Sequence, residues 1–163
     1  MSGTDWQLAH VTVARLRFPP GDRRCAELVS ALDQVYALAD HAPGLVWRRP
    51  TTRESLVPDG SAGFMVNVSV WTDYLRLHEY TYRTRHMHHL RRRAAWFEPS
   101  EHPTSALWWV TAGSRPTDAQ ARARLAQLRR YGPTPQAFTM RRRFTPDGRR
   151  DIPWTSRPAG RRP

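Results

Sequence analysis

The chain of 163 residues has no lysine, a single cysteine and no apolar run long enough to span a membrane. With Cys25 alone, an internal disulfide is excluded, as are the metal and iron–sulfur motifs that need several cysteines. The N-terminus lacks the basic and apolar regions of a secretory signal. We therefore expect a cytoplasmic protein that has no membrane partner.

All 26 basic residues are arginines, and against 14 acidic residues they give a net charge of +12. The last 23 residues contain eight arginines and two aspartates, which is half of the excess. No helix-turn-helix, zinc-finger or aromatic RNA-binding pattern accompanies the arginines. An arginine-only composition is also typical of GC-rich coding sequences. The charge therefore does not predict a nucleic-acid partner.

Alternating residues predict the strands, and apolar residues three or four positions apart predict the helices. The predicted strands are 7–15, a short strand from Leu45, 64–71, 105–111 and 137–144. The predicted helices are 23–40, 74–82, 86–97 and 117–131. This order predicts an α+β fold, a ferredoxin-like antiparallel sheet with helices on one face. We expect one domain over residues 1–144 and an arginine- and proline-rich C-terminal tail over 145–163.

Several runs of the sequence resemble a known bacterial family. They are Ala37-Leu38-Ala39, Pro43 to Arg48, Asn67 with Ser69 and Trp71, Tyr82 with His86, Arg92-Arg93 with Trp96-Phe97, Leu107 to Val110 with Ala112-Gly113, and Gly132 with Ala137 to Thr139. The family is a domain of unknown function, grouped with dimeric α/β-barrel proteins that are similar to antibiotic-biosynthesis monooxygenases. The resemblance implies a dimeric α/β barrel, hence a homodimer, with a pocket for a small-molecule substrate. The chain departs from the family at Thr12, where members typically have asparagine, and at Ser114, where they often have histidine.

Polar side chains share one face of the predicted strand 64–71. Asn67 and Ser69 lie on that face, and Thr12 or His10 would lie on the same face of a neighbouring strand. Polar groups in a buried strand need hydrogen-bond partners. These side chains would form either the floor of a substrate pocket or an internal network of satisfied groups.

Large aromatic and cationic side chains supply further candidates for substrate binding. Trp71, Tyr80 and Trp108 offer flat surfaces to a planar ligand, or they belong to the ordinary core. Of the run Arg91-Arg92-Arg93, Arg93 is best placed to bind an anionic substrate group. Such a run is also typical of a solvated helix face.

The densest cluster of titratable residues is His86-Met87-His88-His89. His86 would act as a general acid/base near neutral pH, with Tyr82 or Asn67 to orient it. Alternatively, it would be an axial haem ligand, as in related dimeric α/β barrels, or a structural or solvated histidine. The sequence offers His86 and His89 no third metal ligand at a suitable spacing, so no metal is predicted.

These residues together predict a small-molecule enzyme, monooxygenase-like, that acts on an aromatic or polyketide-like substrate in an apolar, tryptophan-lined pocket. The predicted catalytic residues are His86, Tyr82 and Asn67, and the predicted substrate-binding residues are Thr12, Ser69, Trp71, Tyr80, Arg93 and Trp108. No cofactor is expected, with haem on His86 as the alternative. An isomerase or cyclase that uses the same pocket, or a non-catalytic small-molecule or haem-binding protein, is also consistent with the pattern.

Overall fold

The structure is a computed structural model, and it describes residues 5–19, 21–50, 56–57, 63–83 and 92–152. The strands are β1 (Trp6–Arg15), β2 (Leu45–Arg48), β3 (Leu56–Val57), β4 (Phe64–Trp71), β5 (Ser105–Thr111), β6 (Arg143–Phe144) and β7 (Arg150–Asp151). The helices are α1 (Arg24–Asp40), α2 (Tyr74–Arg83) and α3 (Asp118–Tyr131), and residues 92–96 are also helical. None of the helices in these ranges is long and apolar enough to cross a membrane.

The main sheet has the strand order β2-β4-β1-β5, with antiparallel pairing throughout and β3 paired to β4. This order, with α1 between β1 and β2 and with α2 between β4 and β5, is that of a ferredoxin-like α+β fold. The predicted fold class is therefore confirmed. The predicted bounds of β4 and β5 agree with the structure. Successive side chains of a strand point to opposite faces of the sheet, and both segments follow this alternation.

One face of the sheet is apolar, and α3 covers it. This face, called the valine face below, carries Val11, Val66 and Val68. These side chains pack against the apolar stripe of α3, which is formed by Ala121, Leu125 and Leu128. Four- and three-residue steps place the three α3 residues on one side of the helix. A capping box between Thr117 and Gln120 fixes the start of the helix. The helices thus lie on both faces of the sheet, which differs from the prediction that they share one face.

The opposite face carries α1 and α2, and its core is divided into two clusters. One cluster contains Leu8, Trp71, Leu77, Leu107 and Phe138. The other contains Ala14, Leu16, Phe18, Cys25, Leu28, Ala31, Met65, Trp96 and Phe97. Between the clusters the sheet carries polar side chains, and α1 stands away from it. This division leaves a cavity beneath the middle of α1.

The turn from α1 to β2 depends on Gly44. Its φ of +86° is in the left-handed region, which favours glycine. Its carbonyl oxygen accepts a hydrogen bond of 2.8 Å from the backbone N–H of Thr72. A Cβ atom at this position would overlap the side chain of Arg76 and lie 2.8 Å from Thr72 Oγ1. The turn therefore joins the end of α1 closely to the segment between β4 and α2.

The C-terminal part differs from the continuous strand that was predicted over 137–144. Phe138 exchanges two backbone hydrogen bonds of 2.8 Å with Leu107, and the chain then turns before β6. β6 pairs with β7 as a hairpin, so the predicted domain boundary after residue 144 falls inside this hairpin. Trp109 Nε1 donates a 2.7 Å hydrogen bond to the carbonyl of Phe144, which attaches the hairpin to β5. Residues 153–163, the rest of the predicted tail, lie outside the described residues.

Candidate functional site

A cavity of about 280 Å³ lies between α1 and the polar part of the sheet. Its roof is the apolar side of α1, formed by Leu28, Ala31, Leu32, Val35, Tyr36 and Ala39. Its floor is formed by His10, Thr12, Asn67 and Ser69. The volume is close to the lower end of the range typical of small-molecule sites, roughly 300–1,000 Å³. The space therefore suits a ligand of two or three fused rings.

Strand register brings the floor residues together. β1 and β4 pair so that His10 lies opposite Ser69 and Thr12 lies opposite Asn67. Thr12 Oγ1 and His10 Nε2 are 3.3 Å apart, within hydrogen-bond distance. The side-chain amide of Asn67 forms no hydrogen bond with any residue in the described part of the chain. The amide can therefore donate to and accept from a ligand.

Trp71 forms a rigid wall of the cavity. Its side chain is buried, and its Nε1–H donates a 2.9 Å hydrogen bond to Ser69 Oγ. The rings of Trp71 and Tyr80 are tilted by 30° with their centroids 5.0 Å apart. The hydroxyl of Tyr80 donates to the backbone carbonyl of Val35, at 3.2 Å, and thus connects α2 to α1. Burial raises the pKa of Tyr80 well above its usual range, so this phenol stays neutral.

Among the described residues, two arginines line the cavity, and their surroundings differ. Arg48 forms a bidentate pair with Asp40, with distances of 2.6 and 2.7 Å, and its guanidinium lies 4.6 Å from the centre of the Tyr36 ring. Arg93 lies 5.6 Å from the centre of the Phe97 ring. Within the described ranges, Arg93 has no ion pair and no side-chain hydrogen bond. Desolvation lowers the pKa of Arg93, although an arginine stays charged at neutral pH.

Most of the predicted site residues line this one cavity. Those that do are Thr12, Asn67, Ser69, Trp71, Tyr80, Tyr82 and Arg93. Tyr82 is at the edge, since it is 49% exposed. Its ring is tilted by 46° against that of His78, at a centroid distance of 4.8 Å. The structure brings these side chains together, and their roles in catalysis or binding stay predictions.

Trp108 is the exception among the described residues, and its predicted place in the pocket wall is wrong. It pairs with Ala9 and packs on the valine face, against the apolar side of α3. Successive side chains of a strand point to opposite faces, so Trp108 and Leu107 cannot share one environment. The pairing of Trp108 with Ala9, an apolar position of β1, indicates the face on which Trp108 lies. This pairing depends on the register between β1 and β5, which only the structure supplies.

The predicted acid/base His86 lies outside the described residues, together with His88 and His89. Its roles as general acid/base or as haem ligand stay predictions. The cavity contains a different imidazole, that of His10, which the sequence placed only as an alternative to Thr12 on the polar face. The described ranges hold no group of three histidine, cysteine or acidic side chains arranged to bind a metal ion.

Arg48 and the roof of the cavity are site features that the sequence does not predict. The apolar stripe of α1 was predicted, but an ordinary core helix has the same stripe. No local pattern in the sequence predicts that α1 is separated from the sheet. The pairing of Arg48 with Asp40 depends on the turn at Gly44, which returns the chain beside the end of α1.

The fold and this cavity define a ferredoxin-like α+β protein with a cavity between α1 and its sheet. The chain matches the domain of unknown function DUF3291 over residues 7–154, and it therefore belongs to that family. No curated protein matches the chain.

Solved structures are similar in fold. SnoaB, a cofactor-independent oxygenase from Streptomyces nogalater, is 19% identical over 69% of this chain and 96% of its own, with a TM-score of 0.46. A monooxygenase from the gene ActVA-Orf6 of Streptomyces coelicolor, solved with nanaomycin D, is 12% identical over 71% of this chain and 95% of its own, with a TM-score of 0.41. Rv0793 from Mycobacterium tuberculosis is 13% identical over 68% of this chain and 99% of its own, with a TM-score of 0.47.

Proposed function

We propose that this protein is a small-molecule enzyme, monooxygenase-like, that acts on a planar aromatic or polyketide-like substrate in the cavity. The observation that supports this most is the composition of the cavity, an apolar roof and aromatic wall facing a floor with an available amide and an imidazole. Binding sites for small molecules typically combine many apolar groups with a few polar ones that fix orientation.

The substrate rings lie between the roof and Trp71, so that one edge faces the floor. The Asn67 amide donates to a carbonyl or hydroxyl oxygen of the substrate and stabilises negative charge on it. The imidazole of His10 accepts a proton from an acidic C–H of the substrate. Tyr80 is not the base, because burial raises its pKa and its hydroxyl already donates to Val35.

Removal of the proton leaves an electron-rich carbanion that can react directly with O2. At a methylene carbon, addition of O2 and one proton followed by loss of water converts CH2 to C=O. The carbon is oxidised, O2 is reduced, and one oxygen atom leaves as water. These reaction steps need only the substrate and O2 as reactants, which is why no cofactor is part of the proposal.

The test uses anthrone, a tricyclic ketone whose methylene is acidic and whose oxygenation gives anthraquinone. We expect the protein to accelerate O2 uptake and anthraquinone formation above the spontaneous rate. His10→Gln and Asn67→Ala should each lower the turnover number, by about 10²-fold for loss of the general base. His102→Ala is the matched control, because His102 is exposed and does not line the cavity.

Two outcomes would contradict the proposal. One is acceleration that survives both His10→Gln and Asn67→Ala. The other is a rate that equals the spontaneous one with anthrone and with hydroxylated naphthalenes. Substrate conversion that continues without O2 would instead identify an isomerase or cyclase in the same cavity, since proton transfer alone is sufficient for those reactions.

His86→Ala separates the two candidate imidazoles. If His86 is the acid/base, this variant loses turnover and His10→Gln keeps it. A visible spectrum of both variants with added haem tests the other role of His86. A Soret band that only His86→Ala abolishes would support haem binding in place of the cofactor-independent reaction.

The expected homodimer is a separate part of the proposal. Pairing of two sheets through the valine face is not available, because α3 of the same chain covers that face. A dimer would therefore use the sheet edges or the helices. Light scattering of the purified protein measures the subunit number directly.

A further inference from the structure

We infer that the substrate is an anion and that Arg93 binds its charged group. This inference rests on the proposed function, since it names the class of ligand for the same cavity. It begins from the charges of the lining residues. Arg48 and Arg93 are the cationic ones, and no aspartate or glutamate is among the described residues that line the cavity.

Arg48 is already neutralised. Its guanidinium makes two hydrogen bonds to the Asp40 carboxylate, in the fork geometry that arginine and a carboxylate favour. The same group lies against the Tyr36 ring. Arg48 therefore has a structural role at the end of α1, and it contributes little net positive charge to the cavity.

Arg93 has no such neutralisation in the described part of the chain. Its guanidinium contacts the face of Phe97, and this contact leaves its N–H donors available. The neighbouring residues 84–91 include no aspartate or glutamate in the sequence, so they cannot supply a carboxylate. A half-buried arginine that has no ion pair with the described residues is costly unless something negative binds it.

On its other side, the described residues again offer Arg93 no free carboxylate. There Arg93 lines a surface groove between β1 and α3 that includes Arg15, Arg122 and Arg129. Among the described residues of that groove the acidic one is Glu98, whose Oε2 lies 3.6 Å from Arg15 Nε in an ion pair. Positive potential from the groove and from Arg93 would thus favour an anion at this end of the cavity.

The aromatic wall and the arginine together define the ligand class. A fused-ring molecule in this cavity would present a carboxylate or an ionised hydroxyl to Arg93. Planar oxyanions suit arginine in particular, because the guanidinium can donate two parallel hydrogen bonds to them. The substrate class is therefore an aromatic carboxylate or an acidic phenol of two or three rings.

The test compares two probes of the same shape, 2-naphthoate and the neutral 2-naphthamide. Isothermal titration calorimetry at neutral pH and low salt gives both dissociation constants. We expect naphthoate to bind about 10- to 100-fold more tightly, the range for a hydrogen bond to a charged group. Arg93→Gln should remove this preference and leave naphthamide binding unchanged, which also shows that the variant is folded. Arg93→Lys should keep part of it.

Arg92→Gln is the matched control, because Arg92 is exposed, lies 5.1 Å from the centre of the Trp96 ring and does not line the cavity. It should leave both dissociation constants unchanged. Equal binding of the two probes to the wild type, or a preference that survives Arg93→Gln, would overturn the inference. Neither result would contradict the proposed binding of aromatic molecules in the cavity. If neither probe binds, both the inference and the proposed function fail.

Discussion

Ser69 and Asn67 are two residues apart on the same face of β4, and we expect their removal to have opposite effects on stability. Ser69 Oγ accepts the hydrogen bond from Trp71 Nε1. Trp71 is only 1% exposed. Ser69→Ala leaves this buried N–H without an acceptor, which should cost about 1–3 kcal/mol of the free energy of unfolding. For a chain of this size the melting temperature should fall by about 3 °C per kcal/mol.

Asn67 has no partner to lose within the described residues. Replacing its half-buried amide with leucine removes a partly desolvated polar group. The leucine side chain adds apolar contacts with the other side chains that line the cavity. We expect Asn67→Leu to stabilise the fold by about 0.5–1.5 kcal/mol. The same variant should abolish turnover of anthrone, because the donor to the substrate oxygen is absent.

The assay is urea unfolding followed by far-UV circular dichroism, since tryptophan fluorescence would respond to Trp71 itself. Ser69→Thr is the control that keeps a hydroxyl at the same position, and it should be more stable than Ser69→Ala. If Asn67→Leu destabilises the protein as much as Ser69→Ala does, the Asn67 amide is part of the structural network. The view of Asn67 as a ligand-binding group would then be refuted.

Three further variants test the fold around the cavity by the same unfolding measurement. Leu125→Ala should cost about 2–5 kcal/mol if α3 covers the valine face, and a cost below about 1 kcal/mol would contradict that packing. Gly44→Ala should cost about 1–3 kcal/mol because alanine must adopt a positive φ there, and an unchanged stability would show that the turn can rearrange. Arg48 holds the pKa of Asp40 below its ordinary value of 3.8, so the stability from this pair is present above that value and is lost as the pH falls through the folded-state pKa. Asp40→Asn should therefore lower stability by at most about 1 kcal/mol at neutral pH and have no effect in strong acid, whereas an equal loss at both pH values would exclude the ion pair as its cause.

The parts of the fold that were predictable are those with a strong local pattern. β4 alternates valines with polar residues, and the start of α3 has a capping pair three residues apart, Thr117 and Gln120. The run 137–144 also reads as a strand, but a turn interrupts it. In that turn the side chain of Thr139 accepts a hydrogen bond of 3.1 Å from the backbone N–H of Arg142. Such local side-chain bonds compete with strand pairing, and periodicity does not show them.

The candidate site was predictable where one strand face decided it. Alternation alone places Asn67, Ser69 and Trp71 together, and pairing with β1 adds Thr12. The face on which Trp108 lies could not be predicted, because it follows from the register between β1 and β5. The neutralisation of Arg48 and the open position of Arg93 depend on contacts between distant segments, which no single window of sequence contains.

The standoff of α1 also has a thermodynamic consequence. The helix is held at its first turns by the cluster around Phe18 and Leu28, and at its last turns by Asp40 and Arg48. Its middle lines the cavity, so a ligand bound there supplies contacts that the folded chain alone does not have. Ligand binding and folding are therefore linked, and saturation at about 100 times the dissociation constant would stabilise the protein by about 2.7 kcal/mol. A thermal-shift screen of aromatic anions can thus find the substrate class before any turnover has been measured.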